Sequence, residues 1–183
     1  MAIIVNKFRE YKVSPQTEIL ILGTFSPDIP EAADFFYGRS RIFLWHLLPQ
    51  CWGVEPLQEA PLSRKKEFMS AYHIDFADII DAVDMPEDGE ASLDDIYLDS
   101  HVHQWKNIIA LVDTLPALKA VYFTKKTFSG IPLMRAQIKL LADYCGQKGI
   151  RFCKLETPSK FYSPEKLQQW IDTIVLKSTC LRV

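Results

Sequence analysis

Three short, mostly apolar runs constrain this chain more than any other feature. They are Glu18-Ile19-Leu20-Ile21-Leu22-Gly23, Ala120-Val121-Tyr122-Phe123-Thr124 and Ile150-Arg151-Phe152-Cys153-Lys154-Leu155. Each is too short for a helix and too poor in polar positions to leave one face in water. Each therefore reads as a strand buried within a parallel sheet. A weaker fourth candidate runs from Phe76 to Ile80. Helical patterns separate the strands. Ser63 is read as the cap of a helix reaching Tyr72, with Phe68, Met69 and Tyr72 on one face. His101 to Leu115 reads as one amphipathic helix, and Pro132 to Cys145 as another, closed by Gly146 and Gly149. The last helix starts at Ser163 with Pro164 in its first turn, and Leu167, Trp170, Ile171 and Ile174 keep the 3.6-residue period.

Alternating strands and helices predict an α/β fold: a central, mostly parallel four-stranded sheet covered on both faces, in three α/β/α layers. No repeat or low-complexity linker interrupts residues 1–183, so a single domain is expected. The chain has 183 residues with 48% hydrophobic and 24% charged side chains, enough for a substantial core. The first residues are too briefly apolar for a signal peptide, and no run approaches the length of a membrane span. A monomeric cytoplasmic protein with no membrane partner is expected.

The four cysteines (Cys51, Cys145, Cys153 and Cys180) form no C-x-x-C pair and have no histidine at ligand spacing. They read as reduced core filler. His101 and His103 diverge if they begin a helix, so no metal site is expected. Charge is unevenly spread. Between Ile74 and Ser100 stand ten of the 23 acids (Asp75, Asp78, Asp81, Asp84, Glu87, Asp88, Glu90, Asp94, Asp95 and Asp99) and no lysine or arginine. The remaining 13 acids face all 21 bases, a net of +8, so a local positive face is available despite an overall charge of −2.

In an open parallel sheet the ligand site lies outside the carboxyl ends of the strands. That rule selects three segments. Gly23-Thr24-Phe25-Ser26-Pro27-Asp28 begins with a glycine that permits close backbone approach, and Phe35-Phe36-Tyr37-Gly38-Arg39-Ser40-Arg41 follows it. Aromatics beside arginines suit base stacking next to phosphate contacts, although Phe35 and Phe36 can equally pack the start of the next helix. Thr124-Lys125-Lys126-Thr127-Phe128-Ser129 brings two lysines, and Thr157-Pro158-Ser159-Lys160-Phe161-Tyr162-Ser163 brings a third. Together these segments collect Arg39, Arg41, Lys125, Lys126 and Lys160 at one end of the sheet, away from most of the acidic block.

The order G-T-F-S-P, F-Y-G-R-S-R-x-F-x-W, S-L-D-D-I, F-T-K-K and T-P-S-K-F-Y-S-P, spread from Glu18 to Trp170, resembles the uracil-DNA glycosylase superfamily. It is most similar to the hypoxanthine-DNA glycosylase-like branch. The resemblance implies an enzyme of base-excision repair that flips a deaminated base, uracil or hypoxanthine, out of DNA and hydrolyses its N-glycosidic bond without a cofactor. By position, Phe25 would stack on the base. Gly23, Thr24, Ser26, Phe36 and Tyr37 would complete the pocket. Arg39, Arg41, Lys125, Lys126, Ser159 and Lys160 would contact the nucleic acid. The chain departs from the branch at its catalytic asparagine, which falls on Ile42, and the asparagine expected after the third strand is Thr124. Phe25 occupies the position where other branches carry Asp or Asn. A substitute base must be a carboxylate or imidazole near the scissile bond. Asp28 is the first candidate, Asp78 and Asp75 come next, and His46 last. The alternative is a glycosylase fold that binds nucleic acid or nucleotide without cutting.

Overall fold

Four parallel strands carry the site: β2 (Ile19–Gly23), β3 (Ile74–Asp78), β6 (Ala120–Phe123) and β7 (Arg151–Lys154), in the order β3-β2-β6-β7. The computed structural model describes residues 1–86 and 93–183. Glu87, Asp88 and Glu90 of the acidic block, and Ser92 of the Ser-Leu-Asp-Asp-Ile segment, lie outside the described residues. Alternate side chains of each strand enter separate cores. Leu20, Leu22, Val121 and Phe123 face one side, where α4 (Ile108–Asp113) and α5 (Pro132–Gln147) pack. Ile21, Phe76 and Tyr122 face the other, against α1 (Leu44–Gln50), α2 (Leu62–Tyr72) and α6 (Pro164–Trp170). Burial on both faces is why these strands are nearly unbroken apolar runs. The three-layer α/β/α arrangement expected from the sequence is present.

A second, antiparallel sheet was not foreseen. It consists of β1 (Ala2–Val5), β4 (Ile80–Met85) and β5 (Val102–Trp105), in the order β1-β4-β5. The single helix expected over residues 101–115 is therefore corrected. A short α3 (Asp95–Ser100) ends at His101, β5 follows, and Asn107 caps α4 by accepting the Ala110 amide at 3.0 Å. His101 stacks on Tyr97, whereas His103 faces Asp84 at 3.2 Å. At α2 the cap position belongs to Pro61, and Ser63 sits inside the first turn. Ser163 does cap α6, accepting the Lys166 amide at 3.1 Å. Residues 171–175 continue α6 as a wider π-type turn. No helix among the described residues is long and apolar enough to cross a membrane.

The reading of all four cysteines as reduced filler is also corrected. Cys51 and Cys145 are buried thiols, but Cys153 in β7 is bonded to Cys180. The C-terminal segment folds back along the outer edge of β7, where Lys154 N–H donates to Leu181 O at 2.8 Å and Arg151 donates to Thr179 O at 2.7 Å. That segment covers backbone groups that an edge strand would otherwise present to other chains. The bond closes a loop spanning 27 residues, which restricts the unfolded chain by about 3.5 kcal/mol on the loop-entropy relation. Cys180→Ser should therefore lower stability by roughly 2–4 kcal/mol in a denaturant titration. The deficit should vanish when wild type and variant are compared in excess thiol.

Candidate functional site

At the carboxyl ends of the four parallel strands lies a cavity of about 680 Å³, within the range of small-ligand sites. It opens where the strand-exit rule places it. Of the residues singled out from the sequence, Gly23, Thr24, Phe25, Ser26, Tyr37, Arg39, Lys125, Lys126, Ser159 and Lys160 line it. Asp28, Phe36 and Arg41 do not. Asp28 is exposed, and its amide is bound to Val5 O at 3.0 Å on the outside of the loop. Phe36 is 1% exposed, stacked between Phe8 and Phe76, so it packs the core beneath the loop. Arg41 is exposed beside the mouth, with its carbonyl accepting the Lys160 amide at 2.9 Å.

The floor is polar and buried. Parallel pairing sets Gly23 of β2 opposite Asp78 of β3, and both reach the cavity. Asp78 is 6% exposed. Burial raises its pKa above the ordinary carboxylate value, while hydrogen bonds from Asn6 and Ser26 and the charges of Lys106 and Arg39 pull it back. Beside it, the Tyr37 hydroxyl is 3.1 Å from Thr124 Oγ1, which donates to Leu22 O at 3.0 Å. Burial, then the nearby Asp78 charge, holds the Tyr37 phenol well above its usual range, so it stays protonated. Gly23 makes this arrangement possible: a Cβ there would lie 2.5 Å from Asp78 Oδ1 and 3.0 Å from Tyr37 Oη.

The other candidate bases sit elsewhere. Asp75, the second residue of β3, lies toward the opposite end of the sheet, where it accepts Tyr11 Oη at 2.8 Å and the Ser14 amide at 2.9 Å. His46 lies on α1 with its ring edge-on to Tyr162. Ile42 lines the cavity, and its neighbours tie two loops together: Phe43 N–H donates to Pro158 O at 2.7 Å, and Ile42 itself bridges to Ser159.

The mouth is less positive than the loop sequences suggest. Asp94 and Asp95 of the acidic block line the same cavity; Asp95 pairs with Lys125, and Lys126 pairs with Glu156 at 2.9 Å. Arg39, Arg41, Lys160 and Lys7 form no ion pair with a carboxylate among the described residues; Lys7 donates to Ala33 O at 2.9 Å, and Arg39 is near enough to act on the Asp78 charge. Tyr37, Arg41 and Lys160 all have left-handed backbone, with φ of 56°, 64° and 77°. Non-glycine residues rarely adopt it, and it clusters where a surrounding structure imposes a binding geometry.

Sequence reasoning overlooked Asn6, Lys7 and Phe8. Lys7 and Phe8 line the cavity, and Asn6 bonds Asp78 from beneath. No local signal marks them, because their relevance arises only from tertiary pairing. For Asp78 a signal did exist, since it ends a strand whose register sets it level with Gly23.

No protein-family model matches the sequence, and no curated protein matches it. A solved structure does: the solution NMR structure of a provisionally assigned uracil DNA glycosylase from Methanosarcina acetivorans. Sequence identity is 18%, the alignment covers 91% of this chain and 94% of that one, and the TM-score is 0.61. A likeness of that extent at that identity is a likeness of architecture. The parallel sheet with helices on both faces is thus a glycosylase-like fold, shared with the Methanosarcina protein over nearly the whole of both chains.

Proposed function

We propose that the cavity receives a deaminated base, uracil or hypoxanthine, flipped out of DNA, and that the protein hydrolyses its N-glycosidic bond. The observation that carries this reading is the buried Asp78 carboxylate on the floor of a cavity roomy enough for a base. Phe25 borders the cavity from a core position, 4% exposed. The cations Arg39 and Lys160, which form no ion pair with a carboxylate among the described residues, supply the rim. The shared architecture with the Methanosarcina protein supports it. In this reading Asp78 takes the place first given to Asp28. A water oxygen bonds to C1′ and passes its proton to Asp78, while the base departs with the electron pair of the broken C1′–N bond. Deaminated bases suit such chemistry because their ring carbonyls delocalise the departing charge. A carboxylate with a raised pKa is better matched to proton transfer near neutrality than an ordinary one. Arg39, Arg41 and Lys160 hold backbone phosphates while the base is extruded.

Ile42 favours a second reading. Its apolar side chain stands where the resembled branch carries an asparagine, and it can neither polarise a base nor orient water. A base-binding protein without cleavage fits that residue.

The two readings separate in one assay. Oligonucleotides carrying uracil or hypoxanthine, single- and double-stranded, are incubated with the protein and tested for alkali-labile sites. Strand scission after alkali supports the hydrolase. Salt-sensitive binding with no product at high protein concentration supports the second reading, and no affinity at low salt sinks both. Arg41→Ala should weaken binding similarly across sequences and reduce the slope of log K against log salt by about 1, as expected for loss of one phosphate contact.

A further inference from the structure

Asn6 leaves β1 and turns beneath the cavity floor, 3% exposed. Its Nδ2 donates to Asp78 Oδ2 at 2.9 Å and to Ile80 O at 3.0 Å, and its Oδ1 accepts the Phe8 amide at 2.8 Å. These partners fix which way the amide faces. The Phe8 N–H requires an acceptor and the Ile80 carbonyl requires a donor, so the NH₂ group is the one directed at Asp78. The backbone is equally constrained. Asn6 N–H donates to Asp81 O, and Lys7 N–H donates to Ser26 O, both at 2.8 Å. Asn6 thus grips Asp78 through Oδ2, with Ser26 as a further hydrogen-bond partner of the carboxylate, while Oδ1 lies over the bare Cα of Gly23, which lines the cavity.

We infer that Asn6 is the positioning residue of this site, holding Asp78 by Oδ2 so that Oδ1 is presented to water or ligand above Gly23. The inference rests on Asp78 being the working carboxylate of the cavity. Asn6 precedes every motif behind the glycosylase resemblance, which begins at Glu18, so it adds a part the motifs do not contain. An amide donor stabilises a carboxylate over the acid and so opposes the effect of burial. The other groups acting on Asp78 are Ser26, Lys106, Arg39 and the protonated Tyr37. Lys106 is shared with Asp81 at 3.1 Å, which leaves Asn6 as a closely held neutral donor.

The test titrates Asp78 directly, in the full chain labelled with ¹³C at aspartate carboxyls, the resonance being identified by its loss in Asp78→Asn. In Asn6→Ala the midpoint should move upward. In Asn6→Asp, which keeps size and the acceptor for Phe8, a second carboxyl faces the first. The two must then share a proton and titrate as a coupled pair. If base release is observed, its acid limb should move upward in both variants, with kcat at neutral pH down roughly tenfold and KM within about twofold. A residue that merely supports the fold would lower Tm without moving the titration. An unmoved Asp78 midpoint in folded Asn6→Asp overturns the inference, and that variant decides alone if Asn6→Ala does not fold. Wild-type protein that releases no base would refute the hydrolase reading. The titration would still decide the role of Asn6.

Discussion

Asp78→Asn is expected to slow base release by roughly 10²–10⁴-fold while making the protein more stable at neutral pH. The rate loss follows from removing the only buried carboxylate among the described residues that lines the cavity. The stability gain follows from the direction of its pKa. Burial raises the folded-state value above that of the unfolded chain. The stability tied to this proton is therefore fully present below the unfolded value of about 4, and is lost as pH rises through the folded value. Wild-type protein at neutral pH bears the whole penalty of a buried charge, whereas an asparagine bears none. The variant can still accept the Asn6 amide through its own carbonyl. Thermal melts from pH 3 to pH 8 should show its Tm advantage widest near neutrality, shrinking as pH falls through the folded-state value and smallest by about pH 4. Equal rates in the two proteins would remove Asp78 from the mechanism, and a variant less stable at pH 7 would mean that its partners outweigh the burial of its charge. Activity exchanged for stability at a single residue is a common mark of a functional site.

Gly23→Ala carries the second large effect, and for it sterics decide. The added methyl would stand 2.5 Å from Asp78 Oδ1, inside any tolerable contact, and 3.0 Å from Tyr37 Oη. Neither neighbour yields freely. Asp78 is tethered by Asn6 and Ser26, and the Tyr37 hydroxyl is bonded to Thr124. One of these networks must break, at a cost of about 1–3 kcal/mol for overpacking in a tight interior. If Asp78 moves, base release should fall about a hundredfold or more with little change in affinity for the nucleic-acid backbone. Chemical denaturation, single-turnover rates and salt-dependent binding separate the two consequences. Retained activity with unchanged stability would mean that the floor is looser than its contacts imply.

The strands were legible because burial on two faces leaves little room for polar residues, and the strand-exit rule then selected loops that line the cavity. What stayed hidden was whatever depends on pairing between distant segments. Asp28 drew attention because it lies in the same loop, three residues past Phe25, yet it turns outward. Asp78, 55 positions after Gly23, becomes its neighbour through strand register. Residues 102–105 were absorbed into a helix because Trp105, Ile108, Ile109 and Val112 suit the helical period. The cap at Asn107 and the pairing of β5 with β4 override that period locally. The Lys125 and Lys126 charges looked available because their partners, Asp95 and Glu156, lie roughly thirty residues away in each case. Cys153 and Cys180 meet only because the C-terminal segment doubles back along β7.

Pairing of the first strand with β4 bears on how the protein reaches its working state. Ala2 sits opposite Met85, and the bond from Asn6 to Asp78 spans 72 residues. The β2–β6 pairing spans still more of the chain, from Ile19 to Ala120, so separation alone does not set the order. However, β1 is an edge strand with a single neighbouring strand, and such elements open and close at lower cost than a central core. The parallel sheet can assemble its core from β2, β3, β6 and β7 without that strand. Refolding from denaturant should therefore restore the sheet's spectroscopic signal before it restores the titration behaviour of Asp78, and a newly made molecule should be a folded scaffold before it is a competent site.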